Sequence, residues 1–281
     1  MRQGLTTLRN QNKEPVTRRM SRRSVLLGAG ASLLAELPRA AFATEIEVFL
    51  AILQDFGQTD APLGNIEIDM PEYSDSGKSV PISVTVPCTM LGLDYPATIA
   101  VYAEHNPRPR ILRAEFTPIS ARPTFSTRVR INSYQDVTVV VKMATGAVFK
   151  AVRKVDVTYG ACEEAVANDQ FPPGWAPRIR VAVPQSVVVG GTAEIRAIIG
   201  HPMETGLRHN ATGLLVPVRI TEWFRCYANG NLAFSVKMEP AIAANPYLGF
   251  FLKIEEPTEV TFEWADTSGD IYTENATIFT T

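Results

Sequence analysis

The sequence predicts an all-β protein: two β-sandwich domains, preceded by a short N-terminal helix and a cleaved signal peptide. Three observations carry this. From residue 66 onward, apolar residues alternate with polar ones at period two in short runs. Clusters of Gly, Pro, Asn and Asp punctuate those runs, as strand-and-turn chemistry requires. Behind the leader the chain divides into two segments of about 100 residues, the size of one such sandwich.

The leader, residues 1–43, holds eight basic residues and two acidic ones. After its arginines comes the apolar run Val25–Ala35 and then Ala41-Phe-Ala43. A charged start, a short apolar stretch and an A-x-A site together read as an export signal, and the run is about half the length of a membrane span. Ser21-Arg-Arg-Ser-Val-Leu26 is similar to a twin-arginine signal through Arg22 and Arg23, with Val25 where Phe is usual. An ordinary secretory leader is the other reading. Met20 is a second candidate start. The expected product, 44–281, has 19 basic and 27 acidic residues, so the whole-chain net charge of −2 conceals a working charge of −8. It is expected in the bacterial periplasm with no membrane anchor after cleavage. An acidic chain offers no basic field for nucleic acid.

Glu45–Phe56 places Ile46, Phe49, Leu50, Leu53 and Phe56 at helical spacing. The expected strands of the first domain (44–162) are 66–70, 80–86, 98–103, 125–131, 137–143 and 148–158. Residues 163–177 carry three prolines and one glycine without periodicity and read as a linker. The second domain (178–281) has expected strands at 178–183, 192–199, 215–220, 222–227, 232–238, 249–254, 259–264 and 275–279. No repeat between the halves is visible in the sequence.

Cys162 is the leading candidate for chemistry. It follows the last strand of the first domain in Gly160-Ala-Cys-Glu-Glu164, where Gly160 and Ala161 leave little bulk around a thiol. A thiolate needs access to react. A surface thiol without a role, or half of a disulfide, fits the same residues. Cys88 and Cys226 read as small buried hydrophobes, and a bridge between them stays open. His105, His201 and His209 lack metal-site spacing. Gly190-Gly191 reads as a hairpin turn and not a phosphate loop. No cofactor motif and no acid/base constellation stands out.

Several longer strings resemble a known family. Pro177–Pro184, Ile199-Gly-His-Pro-Met-Glu-Thr-Gly206, Pro240-Ala-Ile-Ala-Ala-Asn-Pro-Tyr-Leu-Gly-Phe-Phe251 and Phe262-Glu-Trp-Ala-Asp266 resemble SoxZ. Asp69-Met-Pro71, Val80–Val84, Ala103-Glu-His-Asn-Pro-Arg-Pro109, Phe116–Ser120 and Ser126–Arg130 resemble SoxY. The resemblance spans nearly all of 44–281, in the order Y then Z. It implies that both sandwiches are immunoglobulin-like, and that the protein is a periplasmic carrier, not an enzyme, that holds a thiosulfate-derived sulfur intermediate covalently on an arm cysteine. By position that residue is Cys162. The implied partners are periplasmic sulfur-oxidation enzymes and c-type cytochromes.

The sequence departs from the family arm, Gly-Gly-Cys-Gly-Gly, by Ala161, Glu163 and Glu164, and by running on into a second domain. Two glutamates beside the thiol disfavour the thiolate and repel a dianion. The fused order resembles a SoxYZ-like group associated with quinoprotein (pyrroloquinoline quinone) dehydrogenases, which makes a non-thiosulfate cargo the alternative. A two-domain binding module with an incidental cysteine is a third reading.

Overall fold

The computed structural model describes residues 45–161, 171, 174–210 and 212–281. The leader with Arg22 and Arg23, and the arm residues Cys162, Glu163 and Glu164, lie outside the described residues. The described chain is all-β with one helix, α1 (Glu45–Phe56). The first half supplies β1 (Glu67–Asp69), β2 (Tyr73–Ser76), β3 (Val80–Thr85), β4 (Pro96–Ala103), β5 (Arg110–Phe116), β6 (Thr124–Val129), β7 (Gln135–Met143) and β8 (Val148–Tyr159). The second supplies β9 (Ile179–Ala182), β10 (Ser186–Val187), β11 (Gly191–Ile199), β12 (Thr221–Ala228), β13 (Asn231–Met238), β14 (Tyr247–Ile254), β15 (Thr258–Asp266) and β16 (Ile271–Thr280). No described helix is long and apolar enough to cross a membrane.

The strands form two sheets, and both run through the two halves. The smaller has the order β1-β3-β6-β14-β11-β9 and the larger β10-β16-β15-β12-β13-β5-β4-β7-β8-β2. Each half therefore contributes three strands to one sheet and five to the other, in the same internal order. The repeat that the sequence conceals is a repeat of topology. Like strands meet at the junction: β5 pairs antiparallel with β13, from Leu112↔Met238 to Phe116↔Phe234, and β6 meets β14 at Ser126↔Gly249. This is the isologous contact of a two-fold dimer, realised inside one chain. Gly249 is needed there, because a Cβ would run into the Ser126 hydroxyl.

One hydrophobic core lies between the sheets and continues from half to half. Phe116 of β5 sits edge-on to Phe234 of β13 with ring centres 5.0 Å apart, and Phe234 stacks on Phe250 at 4.5 Å. Thr117 and Ser120 both donate hydrogen bonds to the Ala233 carbonyl, at 3.0 and 2.8 Å. Polar groups at this seam are thus satisfied across it, as burial demands.

Three expectations change. β5 escapes the alternation search because Ile111 and Leu112 are adjacent apolar residues, although Leu112, Ala114 and Phe116 are all buried in the shared core. The expected strand 215–220 is absent: only isolated bridges at Leu215 and Arg219 occur there. α1 has the expected ends but a different buried face. Val48, Ile52 and Phe56 pack on Ala100, Tyr102, Val140 and Val148, on the outer side of the large sheet, while Ile46, Phe49, Leu50 and Leu53 are exposed. A helix resting on a flat sheet buries a narrow i, i+4, i+8 stripe. Asp55 fixes the rotation, accepting from Tyr102 Oη and from Arg110 Nη2 and Nε at 2.7 and 2.8 Å.

Candidate functional site

The site begins where β8 ends. The Gly77 N–H donates to the Tyr159 carbonyl at 2.7 Å, the Ile131 N–H to the Gly77 carbonyl at 2.8 Å, and the Ala161 N–H to the Ile131 carbonyl at 3.1 Å. Gly160 is buried, and a Cβ on it would collide with the Asn132 carbonyl. Gly160, read in the sequence as leaving little bulk beside the thiol, permits close backbone packing here. Ala161 is consequently held in place, one residue before the arm cysteine.

A turn network supports this root. Asn106, buried, donates to the Arg130 carbonyl at 2.8 Å and accepts from the Asn132 N–H at 3.1 Å and from Gln135 Nε2 at 3.2 Å. Gln135 in turn accepts from the His105 N–H at 2.8 Å. The 104–109 turn and the 130–135 segment are thereby one unit. Arg130 crosses to the second half, donating to the carbonyls of Met203 (2.9 Å), Pro240 (2.8 Å) and Pro202 (3.3 Å).

Between these elements lies a cavity of about 90 Å³ lined from both halves. Ala161, Asn106, Pro107, Arg108, Arg130 and Asn132 come from the first; Thr205, Leu207, Pro240 and Ala241 come from the second. All but Ala161, Asn132 and Leu207 fall in the strings quoted above for the family resemblance. Sequence reasoning singled out those strings without seeing that they converge on one point. Arg130 and Asn106 were missed as site residues; their positions inside those motifs were the available signal.

The far end of the linker is also docked. Phe171 and Trp175 meet edge-on at 4.9 Å, and each ring centre lies 5.3 Å from that of His201. The Arg219 guanidinium sits over both rings, at 4.3 and 5.0 Å, and donates to Asp266 at 3.2 Å. Burial drives the pKa of His201 down to about 4, against the pull of nearby Asp266. Burial also opposes the charge on Asp266, but hydrogen bonds from Ser268 and Arg219 prevail and hold it below the usual carboxylate range.

The other sequence candidates are dispersed. Cys88 and Cys226 are both free thiols, so no bridge joins them. Cys226 is buried in β12, and burial pushes its thiol up. Cys88, expected to be buried, is partly exposed beyond β3, its thiol raised by partial burial and by Asp94. His105 and His209 are exposed, in separate halves.

Two similar halves, joined edge to edge around one core and enclosing a junction cavity, define a tandem-sandwich protein. Residues 53–162 match the family "Sulfur oxidation protein SoxY" and residues 179–277 match "Sulphur oxidation protein SoxZ". The chain belongs to the SoxYZ family, as a single-chain fusion of its two parts. Among solved structures it is similar to the sulfur carrier protein SoxY from Chlorobium limicola f thiosulfatophilum, with 26% identity over 40% of this chain and 92% of that one, and a TM-score of 0.34. It is also similar to a superoxide reductase (neelaredoxin) from Ignicoccus hospitalis, with 18% identity over 37% of this chain and 79% of that one, and a TM-score of 0.29. No curated protein sequence matches the chain.

Proposed function

We propose that this protein is a periplasmic carrier, not an enzyme, that holds a sulfur intermediate covalently on Cys162 and presents it to partner enzymes. The observation that supports this best is the fixed root. Covalent geometry keeps the Cα of Cys162 about 3.8 Å from that of Ala161, and Ala161 lines the junction cavity. The root of the arm therefore borders a cavity built by both halves. Arg108 and Arg130 line that cavity, and Glu163 and Glu164 follow the thiol in sequence. The arginines favour an anionic cargo, which the glutamates disfavour.

Loading thiosulfate joins the cysteine sulfur to the outer sulfur of the anion and removes the thiol proton and two electrons. A c-type cytochrome partner would accept those electrons. In this reading the partners perform the chemistry, and the carrier contributes position.

Intact-mass measurement of protein isolated from its native periplasm tests the proposal. The expected result is an adduct that disappears in Cys162→Ser, with loss of the pathway. An unmodified Cys162 under conditions of active sulfur oxidation, with Cys162→Ser fully active, would sink it. An adduct whose mass contains no added sulfur would instead favour the quinoprotein-associated reading.

A further inference from the structure

The outer face of the large sheet carries a ridge and a groove side by side. The ridge is α1, lying over β4, β7 and β8, with Ile46, Phe49, Leu50 and Leu53 exposed at 69%, 51%, 54% and 41%. Four large apolar side chains in three turns of one helix form a contiguous patch of the kind that marks an interaction surface. The groove, of about 430 Å³, lies over β12, β13 and the adjoining β5. Its floor is made by outward residues of those strands: Trp223, Tyr227 and Leu232, with Arg225 stacked over Trp223 at 4.2 Å. The alternation of the strands requires this. Phe224 and Cys226 point into the shared core, so their neighbours Trp223, Arg225 and Tyr227 point out.

The two halves share a strand order, yet among the described residues only the first has a helix over this face. No described helix covers the corresponding surface of the second half, which carries aromatic residues where the first half's Ala100 and Tyr102 meet α1. Charge is complementary as well. α1 opens with Glu45 and Glu47, and the carboxyl of nearby Glu104 is raised by burial and by Asp136 and Glu45, which marks that end as negative. The groove has three basic side chains, Arg113, Arg225 and Lys237, against the acidic Glu115 and Glu222.

We propose that the occupant of the groove is α1 of a second copy of this chain. Because ridge and groove lie on one face, two copies placed face to face about a two-fold axis engage both pairs at once. Such an isologous contact closes at two chains and leaves nothing to extend into a fibre. Each α1 would be covered on both sides, by its own first half and by the partner's second half. The junction cavity lies outside this ridge and groove, so pairing would leave the carrier site open.

Sedimentation velocity on the purified protein tests the idea. The expected species is a dimer at roughly 0.1 mM, where a Kd of about 10 µM leaves most chains paired. The ridge variant Phe49→Asp/Leu50→Asp and the groove variant Trp223→Ala/Arg225→Glu should each sediment mainly as monomers, with association weaker by at least about a hundredfold. All four side chains project from the outer face, so both variants should keep the wild-type circular dichroism. Mixing the two variants leaves one intact ridge–groove pair per heterodimer and should restore part of the dimer. A wild-type protein that stays monomeric at that concentration, as it would if the ridge served another protein, overturns the proposal. So does a dimer insensitive to both variants, or a mixture that fails to recover any dimer.

Discussion

The halves of this protein share a skeleton and differ in what surrounds it. In both, three strands of the small sheet and five of the large one follow the same order, and like strands meet at the seam. The fillings differ. The first half packs mainly aliphatic residues, among them Val80, Ile82, Val84, Ile99, Val101 and Val139. The second concentrates rings: Phe224, Phe234, Phe250, Phe262 and Trp264 form a chain of contacts between 4.5 and 6.4 Å. The ends differ too. β8 runs twelve residues and leads to the arm root at the cavity, whereas β16, its equivalent, runs ten and lines no part of that cavity. The second half therefore supplies aromatic mass and one wall of the cavity, while the first half supplies the arm root at Ala161. Division of labour arises from surroundings laid on one topology.

If the shared core makes the halves one cooperative unit, a lesion in either must be felt in both. Phe234→Ala removes a fully buried ring at the seam and should cost about 3–5 kcal/mol. Ile99→Ala, deep in the first half, should cost about 2–5 kcal/mol. All three tryptophans, 175, 223 and 264, lie in the second half or its approach, so their fluorescence reports that half alone. Denaturant unfolding followed by tryptophan fluorescence and by far-UV circular dichroism should give one coincident transition for wild type and for both variants. Ile99→Ala must lower the fluorescence midpoint although no tryptophan is near it in sequence. A fluorescence midpoint that ignores Ile99→Ala would show two independent domains and break the comparison.

The second half also holds a buried histidine without a counterpart in the first. The folded His201 takes up its proton only near pH 4, against 6.5 for the free side chain. Between those values the unfolded chain binds more protons, so stability must fall as pH drops from about 7 to 4 and level off below. The full loss from this group is up to about 3 kcal/mol. Asp266 acts in a separate window: its depressed folded value removes stability only below its ordinary 3.8. His201→Asn keeps an acceptor for the Met203 N–H, which His201 Nδ1 now receives at 3.0 Å. That variant should show a flatter dependence of unfolding free energy on pH between 7 and 4.5. An unchanged slope would mean that other groups set the acid sensitivity.

Much of this architecture was legible in the sequence, for identifiable reasons. Strands with one face in the core announce themselves by alternation, as in Val80–Val86 and 192–199. β5 did not, because a register shift opposite Val101 and Tyr102 sets Ile111 and Leu112 side by side in one core and breaks the alternation. The continuity of the sheets was invisible for another reason: pairing of β5 with β13 is a contact about 120 residues apart, and nothing local encodes it. The end of the first half's last strand just before Cys162 could be read, since it is a local feature, and β8 does end at Tyr159. The cavity could not, because Asn106, Arg130, Thr205 and Pro240 become neighbours only when both halves are assembled. The buried face of α1 was misread because the hydrophobic pattern is broader than the stripe a flat sheet can cover.

The smallest expected effect concerns the two cysteines outside the arm, one per half. Cys226 is fully buried and its thiol is raised, so it should resist iodoacetamide until the protein unfolds. Cys88 is only partly buried, yet burial and Asp94 also raise its thiol, so it should react slowly in the native state. Cys88→Ser touches no tightly packed core and should change stability by no more than about 0.5 kcal/mol. In that background native-state alkylation becomes a count of Cys162 alone. One fast adduct per chain is expected if the thiol is presented openly beside the cavity. Zero fast adducts would mean that the thiol is covered at rest and exposed only by a partner, which changes how the carrier hands over its cargo. Two would mean that Cys226 is reached through opening of the second half, and the contrast between a rigid half and a presenting half would have to be withdrawn.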